Sequence, residues 1–311
     1  MRVVFMGTPD FAVPSLAALY AAGNDVAAVV TQPDRPRGRG KKEMPSPVKE
    51  CAEKLRIPVF QPLQAKDPVF IAQLRKLSPE AIVVVAYGRI LPPDILSLPK
   101  YGCVNVHASL LPQYRGAAPV HRAVINGEKE TGITIMYLDE GMDTGDMMLW
   151  KAVTISDEDT AGSVHDRLAV LGAQLLVTAL SLIERGKASR VPQSGTASYA
   201  PALKTEDEII RWHETAPNIY NHVRGMNPWP GARTFLGGKI LKVWRAVLVS
   251  VEDDGVPEPG KVLSCGQKGI TVSTGKGRLA ITELQLQGGK CLKAADFLRG
   301  NPVPEGTVLG E

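Results

Sequence analysis

An asparagine and a histidine two residues apart, Asn105 and His107, are the side chains in this sequence best suited to move a proton beside a reacting carbonyl. They lie in an apolar, β-branched run, residues 104–107, which predicts a strand. Side chains alternate along a strand, so both residues point to the same side. The amide can hold a developing oxyanion while the imidazole transfers a proton. From these two residues alone, hydrogen bonding to the backbone of the next loop is an equally good interpretation.

Three carboxylates, Asp139, Glu140 and Asp143, follow in a glycine-containing turn between two predicted strands. One of them could orient His107, fix its tautomer and favour its protonated form, as the third member of a catalytic triad does. Tight turns also accept Asp and Gly readily, so the segment has a purely structural interpretation as well. The distance from each carboxylate to the imidazole decides between the two.

A run of basic residues follows the second predicted strand and contains no acidic residue. Its members are Arg35, Arg37, Arg39, Lys41 and Lys42. Such a run is usually a solvated surface loop. The glycines between the basic residues make it flexible, and clustered Arg and Lys release counterions from a nucleic-acid backbone, so phosphate contact is the sharper hypothesis.

Short apolar runs alternate with helical segments through the first part of the chain. The pattern predicts strands at 3–6, 26–31, 59–61, 81–86, 104–107, 133–138 and 147–155, and helices at 11–22, 46–56, 68–77, 117–125 and 161–185. This alternation is typical of a parallel sheet covered by helices on both faces. The predicted fold class is α/β, with a Rossmann-like parallel-sheet domain that binds ligands at the carboxyl ends of its strands.

The turn after the first strand does not carry a dinucleotide-binding fingerprint. Thr8 and Pro9 stand where the second glycine would allow a pyrophosphate to approach the backbone. A helix-starting turn with Asp10 near the N-cap is the better interpretation. An NAD-dependent oxidoreductase is therefore a distant alternative.

Beyond residue 188 the pattern changes. Residues 189–206 gain Pro, Ser, Gly and Thr and predict a linker between a catalytic domain, 1–188, and a second domain, 207–311. Short runs separated by glycine-rich turns predict a small β-barrel, similar to oligonucleotide-binding folds. Basic residues interleaved with Trp229 and Trp244 suit a nucleic-acid strand, and a charged surface over a tryptophan-containing core suits them equally well.

Composition limits the class of protein. The 311 residues include 36 Lys and Arg and 32 Asp and Glu, a net charge of +4, with 22% charged and 44% hydrophobic residues, which is typical of a globular chain of about two domains. Four scattered cysteines form neither a disulfide framework nor a zinc motif, as expected of reduced thiols in a cytoplasm. The longest apolar stretch, 169–183, is shorter than the roughly 20 residues of a membrane span, and no signal-peptide pattern opens the sequence.

Several short motifs together resemble the methionyl-tRNA formyltransferase family. They are Gly-Thr-Pro-Asp-Phe at 7–11, Thr-Gln-Pro-Asp-Arg-Pro at 31–36, Gly-Arg-Gly-Lys-Lys at 38–42, Met-Pro-Ser-Pro-Val-Lys at 44–49, Val-Asn-Val-His-Ala-Ser-Leu-Leu-Pro at 104–112, Tyr-Arg-Gly-Ala-Ala-Pro at 114–119, Thr-Gly-Ile-Thr-Ile-Met at 131–136, Asp-Thr-Gly-Asp at 143–146 and Asn-Pro-Trp-Pro at 227–230. The Asn-x-His-x-Ser-Leu-Leu-Pro element alone is shared by other enzymes that use 10-formyltetrahydrofolate. The basic run and the second domain make the tRNA enzymes the closer match.

The resemblance implies roles for three groups of residues. The implied catalytic set is Asn105, His107 and Asp143. The implied folate-binding residues are Ser109, Leu110, Leu111, Pro112, Gly88, Arg89, Leu138, Asp139 and Glu140. The implied tRNA-binding residues are Arg35, Arg37, Arg39, Lys41 and Lys42, with Arg39 foremost.

The reaction that the resemblance implies is transfer of the formyl group of 10-formyltetrahydrofolate to the α-amine of initiator methionyl-tRNA, which gives N-formylmethionyl-tRNA for translation initiation. It implies a cytoplasmic monomer that uses no metal and no membrane. Two alternatives stay open. A formyltransferase acting on a small amine or sugar nucleotide would need no basic run, and a non-catalytic RNA-binding module would bind tRNA without turnover.

Overall fold

The computed structural model describes residues 1–37, 42–252 and 258–310. Packing divides the chain into two compact units. The N-terminal unit comprises Met1–Pro119, Glu130–Thr154 and His165–Pro201, and the C-terminal unit comprises Val120–Lys129, Ile155–Val164 and Ala202–Glu311.

The division differs from the predicted boundaries because residues 120–129 and 155–164 group with the C-terminal unit. The guanidinium of Arg122 makes a 2.8 Å ion pair with Asp207. Arg224 donates hydrogen bonds of 3.1 Å to the backbone oxygens of Ser156 and Asp159. The predicted boundaries at 188 and 207 depended on local composition. Local composition does not show contacts between residues that are distant in the sequence, such as these.

The strands and helices of the chain up to residue 200 follow the predicted alternation. Strands β1 to β11 are Arg2–Gly7, Asp25–Val30, Arg35–Arg37, Lys42–Met44, Val59–Phe60, Ala81–Val85, Cys103–His107, Arg115–Gly116, Glu130–Tyr137, Met147–Thr154 and Tyr199–Ala200. Helices α1 to α6 are Val13–Ala21, Pro47–Lys54, Pro68–Leu77, Pro93–Leu96, Pro119–Ile125 and Ala161–Glu184. The seven predicted strands and five predicted helices are confirmed to within a few residues at their ends.

The central sheet of the N-terminal unit has the strand order β10-β9-β7-β6-β1-β2-β5. The pairs from β7 to β5 are parallel, and β9 and β10 join antiparallel at one edge. Strand order reverses between β1 and β6, which creates a crevice at the carboxyl ends of these strands. The predicted α/β, Rossmann-like class is confirmed, with an antiparallel extension at the edge next to β7.

Helix α6 packs on this sheet through Gly172. A Cβ atom at that position would lie 2.8 Å from Val106 Cγ1 and 3.5 Å from Ile133 Cδ1, so only glycine allows the helix to come this close. By length and composition α6 could cross a membrane, with a mean hydropathy of 1.5 over its most apolar stretch, but half of that stretch is buried inside the protein. This packing agrees with the interpretation of the segment as a core helix.

The C-terminal unit is built on an antiparallel sheet. Strands β12 to β17 are Ala232–Leu236, Lys239–Ser250, Val262–Gly266, Gly269–Ser273, Arg278–Leu286 and Leu292–Lys293, and helices α7 and α8 are Ala216–Gly225 and Ala294–Gly300. The strand order is β12-β13-β16-β15-β14, with β17 paired to β16. Short antiparallel strands are confirmed, and closure into a barrel of the oligonucleotide-binding type stays a prediction.

Two segments predicted as irregular contain paired strands. In the basic run, β3 pairs antiparallel with β4, with Arg35 opposite Met44. In the predicted linker, β11 pairs parallel with β8, which ties residues 199–200 to the N-terminal unit. Such short strands bury few side chains, so they show no apolar alternation by which the sequence could have revealed them.

Candidate active site

Strand β7 carries the proposed reacting groups at its carboxyl end. It lies between β6 and β9, where Asn105 pairs with Val84 on one side and with Met136 on the other. Val106 faces α6, because its Cγ1 atom lies against Gly172. Alternation along the strand therefore turns Asn105 and His107 to the opposite face of the sheet, as the sequence predicts.

Asn105 is buried, with 8% of its surface exposed, yet no hydrogen bond to another described residue uses its carboxamide. Near the carboxyl end of β7, this amide is therefore free to donate to a bound carbonyl oxygen. Bonding to its own loop, the alternative interpretation, does not hold for this side chain.

The ring nitrogens of His107 both face hydrogen-bond acceptors. Nε2 donates to the Tyr114 carbonyl oxygen at 3.0 Å, and Nδ1 lies 3.7 Å from Asp143 Oδ2. The distance to Asp143 is an ion-pair contact rather than a hydrogen bond, and such contacts often tighten only when substrate binds.

Asp143 is held in place by its neighbours. Its backbone has a φ of +54°, in the left-handed region that Asp tolerates better than most residues. Its Oδ2 atom accepts a 2.8 Å hydrogen bond from the Gly116 amide. Of the three carboxylates in this turn, Asp143 is the one within ion-pair distance of His107.

The other two carboxylates play different parts. Asp139 Oδ1 accepts hydrogen bonds from the Gly141 amide at 3.0 Å and from Thr144 Oγ1 at 2.7 Å. These bonds close the turn, so the structural interpretation of the segment holds for Asp139. Glu140 is exposed on the same turn. Leu138, which precedes them, packs against a small cluster of Leu111, Met136 and Met147.

A residue that the sequence analysis missed, Gln193, braces this turn. Its Nε2 atom donates to the backbone oxygens of Asp143 at 2.8 Å and Gly145 at 2.9 Å. The Arg115 guanidinium in turn donates to Gln193 Oε1 at 2.6 Å and 3.2 Å. Gln193 lies 50 residues after Asp143 in the predicted linker, and no local signal marks it. The linker therefore supplies part of the support for the candidate site.

The segment after His107 is fixed against β9. Thr134 Oγ1 donates to the Ser109 carbonyl at 2.7 Å and accepts from the Leu111 amide at 3.2 Å. Leu110 lies against Gly132, where a Cβ would collide with Leu110 Cδ2. Pro112 accepts a backbone hydrogen bond of 3.3 Å from Ser198. The residues predicted to lie against folate thus have a defined path beside the amide and imidazole.

The segment after β6 carries the other residues predicted to contact folate. Gly88 has a φ of +78°, a backbone conformation that favours glycine, and its backbone passes close to the carboxamide of Gln32. Arg89 donates to the Leu63 carbonyl oxygen. It also lines a cavity of about 530 Å³ with Gln64, Ala65, Lys66, Ile90 and Pro92. Asn105, His107 and Asp143 do not line that cavity.

The polar groups and free space of the turn after β1 are taken up by contacts within the protein. Asp10 Oδ1 accepts a 3.0 Å hydrogen bond from the Phe11 amide, and Thr8 Oγ1 donates to the Tyr87 carbonyl at 3.2 Å. A Cβ at Gly7 would lie within 2.9 Å of Ala12 and of the Val85 carbonyl oxygen. These contacts agree with the interpretation of a helix-starting turn rather than a pyrophosphate site.

Asp34, the residue before the basic run, is held by two side chains. Lys49 Nζ lies 2.6 Å from Asp34 Oδ2, and Gln61 Nε2 donates to Asp34 Oδ1 at 2.7 Å. Hydrogen bonds from Lys49 and then Gln61 hold the pKa of the Asp34 carboxyl below its usual value. Arg35 and Arg37 lie in β3 and Lys42 begins β4, while Arg39 and Lys41 lie outside the described residues.

Among the described residues, no group of three or more His, Cys, Asp or Glu side chains could hold a metal ion. The candidate site consists of an amide, an imidazole, a carboxylate and the two segments at residues 109–112 and 88–89. The three side chains can donate hydrogen bonds and move protons.

Two family models match the chain. The first is formyl transferase, over residues 1–180, and the second is formyl transferase, C-terminal domain, over residues 202–302. The α/β sheet and the amide, imidazole and carboxylate at the end of β7 lie within the first match. Fold and matches together define a formyl transferase.

Relatives that match the full length of the chain identify the family within the formyl transferases. The methionyl-tRNA formyltransferase of Pelotomaculum thermopropionicum is 69% identical over 311 residues, covering 100% of this chain and 99% of the relative. The methionyl-tRNA formyltransferase of Desulforamulus reducens is 53% identical, covering 100% and 98%. The chain belongs to the methionyl-tRNA formyltransferase family.

A solved structure supports the fold independently. HypX from Aquifex aeolicus, solved in complex with tetrahydrofolic acid, aligns with a TM-score of 0.63 at 19% identity, covering 98% of this chain and 48% of HypX. At that identity the likeness concerns the fold alone. It extends over nearly the whole chain.

Proposed function

We propose that this protein transfers the formyl group of 10-formyltetrahydrofolate to the α-amine of methionine esterified to initiator tRNA. The relatives that match its full length at 69% and 53% identity carry the name of this activity. The observation that carries the proposal is the unpartnered amide of Asn105, on the same strand face as an imidazole that lies 3.7 Å from a carboxylate. An acyl-transfer site needs this combination.

The chemistry follows from these three groups. The α-amine attacks the formyl carbon, the bond from that carbon to N10 of the folate breaks, and the formyl oxygen carries negative charge between the two events. Asn105 donates a hydrogen bond that stabilises this charge. The imidazolium of His107 donates a second one when its Nε2 exchanges the Tyr114 carbonyl for the formyl oxygen. The amine loses one proton and N10 gains one. Asp143 holds His107 charged and oriented, and the pair can relay that proton.

The folate cosubstrate is proposed to lie along two segments that each follow a strand of the central sheet. One runs from Ser109 through Leu110 and Leu111 to Pro112, and is fixed by Thr134. The other carries Gly88 and Arg89, at the carboxyl end of β6. Leu138, Asp139 and Glu140 form the third wall in this proposal. Support for the first two segments comes from their common origin at the carboxyl ends of the parallel strands β6 and β7, where open α/β folds bind ligands. Support for the third is the packing of Leu138 against Leu111.

The tRNA is proposed to contact the basic hairpin, the name we give to the paired strands β3 (Arg35–Arg37) and β4 (Lys42–Met44). The proposal covers Arg35, Arg37 and Lys42 of these strands, and Arg39 and Lys41, which lie between them in the sequence and outside the described residues. Their charge suits the phosphates of an acceptor stem. We also propose a cytoplasmic location, in keeping with the free thiols of Cys51, Cys103, Cys265 and Cys291. The monomeric state stays a prediction.

One assay tests the proposed function. The protein is incubated with 10-formyltetrahydrofolate labelled in the formyl group and, in parallel, with methionyl-tRNA, free methionine or an amino-sugar nucleotide. We expect label on methionyl-tRNA at a rate far above that on either small amine. Equal transfer to a small amine without RNA would assign the protein to the amine or sugar-nucleotide class, and tRNA binding without transfer would assign it to the RNA-binding modules.

A further inference from the structure

Gln32 lies between β2 and β3, and both the nitrogen and the oxygen of its carboxamide form hydrogen bonds. Its Nε2 atom donates to the Tyr87 carbonyl oxygen at 2.9 Å. Its Oε1 atom accepts from Arg35 Nη2 at 2.6 Å. One carboxamide therefore joins the segment after β6 to the first residue of the basic hairpin.

The Tyr87 contact belongs to the side of the crevice where folate is proposed to bind. Tyr87 precedes Gly88 and Arg89, and the Gly88 backbone passes so close to Gln32 that a Cβ there would lie 2.7 Å from Nε2. Thr8 Oγ1 donates to the same Tyr87 carbonyl at 3.2 Å. The position of this carbonyl, and of the turn that follows it, thus depends on two side-chain donors.

The main chain of Gln32 is fixed separately from its side chain. Its carbonyl accepts a 3.0 Å hydrogen bond from Gln61 Nε2, which also holds Asp34. Its amide lies 3.4 Å from Thr8 Oγ1. Because these bonds do not involve the carboxamide, substitution of the side chain leaves the path of the backbone supported.

We infer that Gln32 is a positioning residue shared by the two substrate sites, setting the folate-side segment through Tyr87 and the tRNA-side hairpin through Arg35. The inference rests on the proposed function, because it takes Gly88 and Arg89 as folate contacts and the basic hairpin as the tRNA contact. Gln32 itself touches neither reacting atom. Its effect is on the affinity of each site rather than on the chemical step.

Two substitutions separate the two hydrogen bonds. Gln32→Glu keeps an acceptor for Arg35 but places a carboxylate against the Tyr87 carbonyl, which cannot donate. Gln32→Met, of similar length, removes both bonds. The assays are run at high salt, where the added charge is screened from the tRNA phosphates. Under these conditions we expect Gln32→Glu to raise KM for 10-formyltetrahydrofolate about two- to tenfold and to leave KM for methionyl-tRNA at the wild-type value for the same salt. We expect Gln32→Met to raise both KM values by about that factor.

The control is Gln73→Glu, which adds the same charge at an exposed glutamine of α3 and is expected to leave both KM values unchanged. The wild-type protein is assayed first, because absence of formyl transfer would refute the proposed function without bearing on Gln32. With transfer established, equal changes of both KM values in Gln32→Glu would overturn the inference. So would a loss confined to kcat in both variants, since a merely structural role lowers the folded fraction and leaves KM unmoved.

Discussion

Two buried polar side chains of the C-terminal unit differ from one of the N-terminal unit in their hydrogen bonding. In the C-terminal unit, Thr234 accepts a 3.0 Å hydrogen bond from Trp212 Nε1, and Ser273 donates to the Glu258 carbonyl at 2.6 Å. In the N-terminal unit, the carboxamide of Asn105 has no hydrogen-bond partner within the described ranges. The fold satisfies Thr234 and Ser273, whereas the amide of Asn105 is open to a ligand.

The contrast also exists inside the N-terminal unit. Thr134 bonds to Ser109 and Leu111, and Gln193 bonds to the turn that carries Asp143. These polar groups hold loops, and in doing so they fix the surroundings of Asn105 and His107. Preorganised donors that need not move during reaction are the largest single source of rate enhancement in many enzymes. The comparison therefore separates the residues that maintain the site from those that react in it.

The largest expected effect comes from removing the free amide. Asn105→Ala should lower kcat by about 10² to 10³, the usual result of losing one oxyanion donor, with little change in the KM for 10-formyltetrahydrofolate. Steady-state formyl transfer measures this. The matched control is Asn301→Ala, an exposed asparagine of the C-terminal unit, which should keep kcat. A turnover near that of the wild type in Asn105→Ala would show that the free amide of Asn105 has no part in the reaction.

The next effect is on stability rather than rate. Thr234→Val leaves Trp212 Nε1 buried without an acceptor and should lower the free energy of unfolding by about 1–3 kcal/mol while kcat stays unchanged. Denaturant titration measures it. Thr282→Val is the matched variant, because Thr282 Oγ1 is buried and has no hydrogen-bond partner among the described residues, so little should be lost there. Equal destabilisation by both variants would contradict this reasoning.

A pH-dependent effect is expected in the C-terminal unit. Burial lowers the pKa of His222, whose Nε2 donates to the Asp207 carbonyl at 2.7 Å; this bond raises the pKa, and nearby Arg211 and Arg122 lower it. The folded state thus favours the neutral ring. Its contribution to stability is present above the unfolded pKa of about 6.5 and is lost as pH falls through the lower folded pKa.

The variant His222→Gln tests this contribution. Glutamine offers a donor for the Asp207 carbonyl and does not titrate, so the decrease in unfolding free energy just below pH 6.5 should be smaller than in the wild type. Denaturant titrations between pH 7 and pH 5 measure the slope. Identical slopes in the two proteins would show that His222 does not couple folding to protons.

The smallest effect concerns a buried polar atom in the N-terminal unit that is not placed in the chemistry. Burial raises the pKa of Tyr87, and its hydroxyl has no hydrogen-bond partner in the part of the chain that the structure describes. Tyr87→Phe removes the unpaired hydroxyl and should leave the unfolding free energy unchanged or raise it by about 1 kcal/mol, without altering kcat. Thermal denaturation and the transfer assay measure both. A clear loss of stability would reveal a partner for the hydroxyl.

Much of the fold follows from the sequence because local periodicity records it. The helix predicted over residues 68–77 is observed with those bounds, and the apolar strand at 81–86 is observed at Ala81–Val85. The short hairpin of β3 and β4 and the helices α4 and α8 were missed, because too few of their side chains are buried to give a period. The antiparallel pairing of β9 and β10 was also not predicted, because the composition of a strand does not show its direction relative to its neighbours.

What the sequence determined by itself is the alignment of Asn105 and His107 on one face of a strand, since alternation is a property of the chain. Residue spacing left open which carboxylate of the turn approaches His107; the family resemblance implied Asp143, and only the tertiary structure brings Asp143 rather than Asp139 to the imidazole. It also decided that Gln193 and Gln32 brace the surrounding segments. These contacts join residues up to 55 positions apart. A side chain that meets its partner across such a separation depends on packing, which no local pattern of residues records.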